Sequence, residues 1–194
     1  IEWPRYLRVT SDSTRVMTTD PDQGFGVKSG STGSYLRLTP ENYFIGHGAG
    51  KSITIGKFNS FLGYEAGNKT QSGAENIFIG YQTGLDNIVG KWNTFLGYKA
   101  GMTNTGSDNT FIGYMAGSAH ESQGGNVYIG SKAGQNATNG QQNVMIGESV
   151  GADITTGSYN VMLGFEAGKN TEDGESNVFL GYQAGWTNTL GKYN

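Results

Sequence analysis

Few side chains here could do covalent or acid–base chemistry. Cysteine is absent, so no thiolate nucleophile, zinc–thiolate site, iron–sulfur cluster or disulfide can form. The two histidines, His47 and His120, have no Ser and acid placed with them in a local or repeated motif, and a catalytic triad depends on that grouping. His120 reads as part of a polar turn. The acids Asp86, Glu121, Asp153, Glu172 and Asp173 fall in variable turns, where solvation accounts for them, and no spacing singles out the carboxylate pair of a glycosidase. The Gly-Gly-x-Gly-x-Asp calcium nonapeptide is missing, and Asp86-Asn87 alone makes no metal site. The expectation is a protein without enzymatic activity, metal or cofactor.

Binding chemistry rests with the aromatic residues. Tyr64, Tyr81, Tyr98, Tyr114 and Tyr182 share one position of a repeat with His47 and Phe165, interrupted by Ser131 and Glu148. Such a row either packs over a turn or an oligomer seam, or presents a grooved aromatic surface to sugar rings. A second set, Phe58, Trp92, Tyr159 and Tyr193, has Trp186 in a nearby turn and serves either packing or ligand contact. Tyr64, Tyr81, Tyr98, Tyr114, Tyr182, Trp92 and Trp186 are the expected ligand-binding residues.

These residues are placed by a repeat. Asn42-Tyr-Phe-Ile-Gly-His-Gly-Ala-Gly50 returns 17 residues later as Asn59-Ser-Phe-Leu-Gly-Tyr-Glu-Ala-Gly67 and then from Asn76, Asn93, Asn109, Asn126, Asn143, Asn160 and Asn177, with one step of 16 between Asn93 and Asn109. The first position is always Asn, and the fifth and ninth are always Gly. The third is Phe, Tyr or Met, the fourth Ile or Leu, and the eighth Ala apart from Thr83 and Val150. Seventeen residues are too few for a helix pair or a propeller blade and suit one coil of a β-solenoid. Each coil is expected to hold a strand on Asn-x-Phe-Ile, a turn at the glycines, a second extended segment through Ala and a return turn. Nine coils rising by a strand spacing make a rod on the order of 43 Å long.

Stacking the coils turns each column into a ladder. A column of Asn satisfies its own donors and acceptors, whereas a column of Asp would repel itself, so Asn42, Asn59, Asn76, Asn93, Asn109, Asn126, Asn143, Asn160 and Asn177 are assigned a structural ladder. Successive strand residues face opposite ways, so of the two large apolar columns one points inward and the other leaves an apolar stripe along the rod. The simplest cover for a uniform stripe is further copies of the chain about an axis parallel to the rod, and a homotrimer is expected.

The composition agrees. There are 33 Gly, 3 Pro, 15% charged residues and a net charge of -3, with no like-charge run longer than two, so capture of nucleic acid is not expected. No apolar stretch approaches a membrane span, so membrane insertion is not expected either, and Ile1 in place of an initiator Met suggests a processed or excised piece.

The Asn-x-Phe-Ile/Leu-Gly-Tyr-x-Ala-Gly pattern, as at Asn59, Leu62, Gly63, Ala66 and Gly67, resembles the heads of trimeric autotransporter adhesins and the repeats of phage tail fibres. The resemblance covers about four fifths of the chain. It departs from the adhesin pattern in its longer repeat and in carrying Phe where that pattern has a small aliphatic residue. It implies a left-handed β-roll that trimerises side by side, in an extracellular segment of a cell-surface or virion fibre that contacts a protein receptor or a surface glycan. An ice-binding or polysaccharide-binding solenoid is the alternative, because Thr54, Thr105, Thr138, Thr155 and Thr189 share a column, though Gln71, Ile88, Glu121 and Glu172 interrupt it.

Residues 42–194 are therefore expected to form an all-β parallel solenoid of nine coils, and residues 1–41 a small β cap or connector. In the latter, Tyr6–Thr10, Thr14–Thr18 and Ser34–Thr39 read as strands between the turn-rich segments Thr19–Gly24 and Ser29–Gly33.

Overall fold

The computed structural model describes residues 7–9, 14–16, 25–29 and 33–194. Leu7–Val9 (β1) and Thr14–Val16 (β2) form an antiparallel pair. Phe25–Ser29 (β3), which the sequence reading did not anticipate, pairs antiparallel with Gly33–Leu38 (β4). The turn expected at Thr19–Gly24 lies outside the described residues.

The repeats supply nine parallel strands: Asn42–Ile45 (β5), Asn59–Leu62 (β6), Ile77–Ile79 (β7), Thr94–Leu96 (β8), Thr110–Ile112 (β9), Val127–Ile129 (β10), Val144–Ile146 (β11), Val161–Leu163 (β12) and Val178–Leu180 (β13). They lie side by side in chain order, giving about eight full turns of a parallel β-solenoid, and no helix occurs among the described residues. Register is column on column, as in Phe78 against Phe95 and Ile79 against Leu96.

The predicted second extended segment is absent. After each strand the chain makes successive tight turns, with Ala66 N–H donating to Gly63 O, Asn68 N–H to Glu65 O and Thr70 N–H to Gly67 O. The cause is left-handed backbone at the seventh and ninth positions, φ 53° at Glu65 and 57° at Gly67, which breaks extension. The ninth position needs glycine because a Cβ on Gly84 would strike the Phe78 ring. The fifth needs it because Gly80 has φ 132° and a Cβ there would overlap the Gly97 carbonyl oxygen of the next coil.

Strand alternation decides what is inside. The first and third positions point in, so Phe44, Phe61, Phe78, Phe95, Phe111 and Tyr128 stack along the axis with centroids 4.7–5.0 Å apart. That interval is one strand spacing, so ring stacking and strand pairing reinforce one another. Where Met145 replaces the ring, Val150 and Ile154 occupy positions that hold Ala133 and Ala137 one coil earlier, which keeps the interior filled. Strand β4 covers the first coil by pairing antiparallel with β5. Its Arg37 sets the guanidinium 4.6 Å from the centre of the Phe44 ring and donates to Gly50 O at 2.8 Å, so it closes the open end of the ring stack.

The Asn ladder binds each coil to the next. Asn76 is typical: its backbone N–H and its side-chain amide both donate to Asn59 Oδ1 at 3.1 Å, and the same amide donates to Gly90 O across its own coil at 2.9 Å. At the 16-residue coil Asn109 keeps the backbone bond to Asn93 Oδ1 and turns its amide to Gln123 O, without a side-chain rung to Asn93.

A second buried column, at the twelfth position, is not a turn surface as the sequence suggested for His120. His120 is fully buried among Asn104, Asn126 and Gly140, because the turns after the strand swing this position back into the coil. Asn104 Nδ2 donates to His120 Nδ1 at 2.8 Å, which leaves the proton on Nε2, 3.0 Å from Gly140 O. Burial holds this imidazole below its usual pKa of 6.5 against the opposing pull of the Gly140 carbonyl and Glu121.

Two predictions follow from this interior. Tyr128 Oη is buried near Asn143 without hydrogen-bond geometry, and burial pushes its pKa up. Tyr128→Phe restores the ring type of the column and is expected to raise stability to urea by about 1 kcal/mol, while a loss of that size would show the hydroxyl to be bonded. His120 binds fewer protons folded than unfolded, so its stability is complete above about pH 6.5 and declines as pH falls below that value. The urea midpoint should drop between pH 7 and pH 5. His120→Asn, which matches Asn87 and Asn104 in the column, should drop less, and equal drops would contradict the assignment.

Candidate functional site

With the first and third positions inside, the second and fourth form the outer face of the sheet. Across the nine strands these positions hold no charged residue. Ile45, Leu62, Leu96, Ile146 and Leu180 are exposed there, joined by Tyr43, Ile77 and Val178 from the second position. The two apolar columns face opposite ways as the sequence predicted, the third position inward and the fourth outward. Parallel sheets are ordinarily covered on both faces, and within the single chain this face is bare.

The sixth position borders one side of that face. Tyr64, Tyr81, Tyr98 and Tyr114 form one ladder with centroids 5.2–5.3 Å apart and planes within 10°, and His47 stacks on Tyr64 at 5.4 Å. Tyr35 of β4 lies 5.6 Å from His47 and continues the row. Tyr182 stands apart, stacked on Phe165 beyond the break at Ser131 and Glu148. Each inner ring has a neighbour on both faces, so the ladder offers mainly edges and hydroxyls to solvent. The bordering seventh position is polar in all coils but those of Gly48 and Met115, with Gln82 bonded to Glu65 and Gln183 to Glu166 at 2.8 Å. Lys169 and Gln183 hold the Glu166 carboxyl below its usual range.

Trp92 lies elsewhere. It belongs to the last position of its coil, on the return edge that precedes each strand, together with Phe58, Tyr159 and Tyr193. Trp186 sits at the tenth position of the last coil, half exposed, with its backbone N–H donating to Gln183 O. The predicted binding residues thus fall into three places: the Tyr64–Tyr114 ladder, the return edge with Trp92, and the final turn with Trp186.

The return edge also gathers Asp173, which the sequence reading left as turn solvation, and further polar residues that it did not single out. A cavity of about 350 Å³ is lined by Phe58, Ser72, Glu75 and Lys91, and Trp92 Nε1 donates to Glu75 Oε2 at 3.0 Å. A second, of about 480 Å³, is lined by Gln141, Thr156, Tyr159, Asp173, Glu175 and Lys192. Thr156 and Thr155 donate to Asp173 Oδ1 at 2.7 and 2.9 Å and hold that carboxyl below its usual range. The signal available in the sequence was the recurrence of an aromatic immediately before Asn in four of the nine coils, the first, third, seventh and ninth.

Among the described residues no three His, Asp or Glu side chains are grouped to hold a metal ion, and no helix is long and apolar enough to cross a membrane. The chain matches no protein-family model, no curated protein and no solved structure.

Proposed function

We propose that this chain is a structural, adhesive segment of a surface-displayed fibre, adhesin-like or tail-fibre-like, which assembles as a side-by-side homotrimer and contacts a protein receptor or glycan with its outer surface. It works without catalysis, as a rigid spacer that carries a binding surface. The observation that carries this reading is the uncharged apolar sheet face, which repeats at every coil for the full length of the solenoid. A partner for such a face must be equally long and share its coil spacing, and further copies of the same chain meet both conditions. Cyclic assembly about an axis parallel to the rod closes the interface, and the adhesin and tail-fibre resemblance favours three copies.

The Thr column argues against the ice-binding alternative. Thr54, Thr105 and Thr138 spend their hydroxyl protons on carbonyls of the next coil at 3.0–3.1 Å and Thr155 spends its own on Asp173 Oδ1, whereas an ice-matching plane needs hydroxyls presented to water.

Light scattering on the purified chain should give three times 20.7 kDa. Placing Lys at Leu96 and Ile129, both on the sheet face, should bring the mass to that of one chain, since like charges facing one another across the axis repel. A wild-type protein that stays monomeric at high micromolar concentration would remove the assembly reading.

A further inference from the structure

The return edge carries aromatic residues that the fold does not require. The last position of each coil adopts left-handed backbone, φ 58–62° at Phe58, Trp92, Tyr159 and Tyr193, yet Gly125, Asp108, Gln142 and Ser176 fill the same position in other coils. Left-handed backbone is least suited to bulky side chains. Nor does packing explain the rings: Phe58 is 63% exposed, Trp92 54%, Tyr159 46% and Tyr193 80%. A strained position with a large, solvent-facing ring has its reason outside the fold.

Position and surroundings indicate what the rings meet. Phe58 and Trp92 are two coils apart, as are the pair Ser158-flanked Tyr159 and Tyr193, a rise of about 9.6 Å between partners. Phe58 and Tyr159 each line a cavity of ligand size that sets apolar surface beside planar or hydroxyl-bearing polar groups: Ile55 and Ala74 with Ser72 and Glu75 in one, Gln141, Thr156 and Asp173 in the other. Charge in both cavities is mixed: Lys57 and Lys91 face Glu75 in one, with Lys57 paired to Glu41 at 2.7 Å, and Asp173 and Glu175 face Lys192 in the other, with Glu175 and Lys192 in a 2.8 Å ion pair, so neither gathers the unpaired cations that a polyanion needs. An exposed ring beside hydrogen-bonding groups of mixed charge is complementary to a pyranose, which offers an apolar C–H face to the ring and hydroxyls to the polar walls.

We propose that the return edge is a carbohydrate-binding groove whose ligand is an uncharged, extended oligosaccharide lying parallel to the rod axis, stacked on Trp92 and Tyr159 as principal platforms and on Phe58 and Tyr193 as outer ones. Trp92 and Tyr159 are four coils apart, about 19 Å, within reach of one hexasaccharide. Glu75 is a positioning residue that fixes the indole through its bond to Nε1. This inference rests on the proposed adhesive role and assigns the glycan contact to this edge instead of the self-stacked Tyr64–Tyr114 ladder.

The test is calorimetric titration of the full chain with cellohexaose, chitohexaose and a heparin hexasaccharide, alongside the light-scattering mass of the same sample. At least one neutral hexasaccharide should bind saturably and heparin should not. Trp92→Ala and Tyr159→Ala should each weaken binding about tenfold, Trp92→Phe should retain most of it, and Tyr81→Ala should leave it within about twofold. Both truncations are at exposed positions, and an unchanged far-UV circular dichroism spectrum separates lost contact from lost fold. No binding of either neutral sugar, binding of heparin alone, or wild-type affinity in Trp92→Ala would overturn the inference. A trimer that ignores the sugars would sink the groove and leave the assembly standing, and a monomer that binds them would do the reverse.

Discussion

The structure depends on keeping each coil one strand spacing above the last, in register, and the Asn rungs enforce this. Strand pairing alone would not, because the strands are only three or four residues long and a slip of one residue would turn the Phe column outward. The Asn side chain prevents the slip by bonding in two directions. Oδ1 receives the next coil's backbone and side-chain donors, while Nδ2 reaches across its own coil to the carbonyl of the return turn, Gly90 for Asn76 and Gly157 for Asn143. One residue thus fixes both the rise between coils and the closure within a coil. The ladder is fully buried from Asn59 to Asn177, with Asn93 at 1% exposed, so each bond lost would leave an uncompensated polar group.

Register has consequences at the surface. Because every outward column is a straight line, the apolar face, the tyrosine ladder and the return edge run as separate stripes along one rod. The strand interval that stacks Phe78 on Phe95 at 4.9 Å also stacks Tyr81 on Tyr98 at 5.2 Å. Inside, that stacking fills the core. Outside, it closes the ring faces of the ladder to ligands. On the return edge aromatics never occupy adjacent coils, so their faces stay open. The uncharged sheet face and the mixed-charge return edge are therefore separate surfaces of different chemistry, the first proposed to meet further copies of the chain and the second a ligand.

Much of this was legible in the sequence because the repeat averages over nine copies. Invariant Asn and Gly columns mark the ladder and the turns, and adjacent apolar columns on a strand must face opposite ways, as found; which of the two is inside, Phe61 and not Leu62, came from the structure. What stayed hidden lay where residue type does not report conformation. Glu65, Gln82, Lys99 and Glu166 adopt left-handed backbone imposed by the stacked turns, and nothing in their chemistry announces it, so the segment through Ala read as extended. The twelfth column was equally opaque: Ile53, Thr70, Asn87, Asn104, His120 and Ala137 share no property beyond filling the same interior place. The return-edge cavities were missed because Glu75 and Asp173 are ordinary turn acids until the fold sets them beside Trp92 and Tyr159.

The most direct test of the ladder is the equilibrium unfolding of Asn143→Asp. The change is isosteric, but it removes the donors to Asn126 Oδ1 and Gly157 O and sets a carboxylate among acceptors in a dry interior. A register held by the amide column predicts a loss of about 3 kcal/mol or more at pH 7, partly recovered at acidic pH as the carboxyl gains a proton. A loss below about 0.5 kcal/mol, the size of an ordinary surface substitution, would contradict it and assign the stacking to the strands and the Phe column alone.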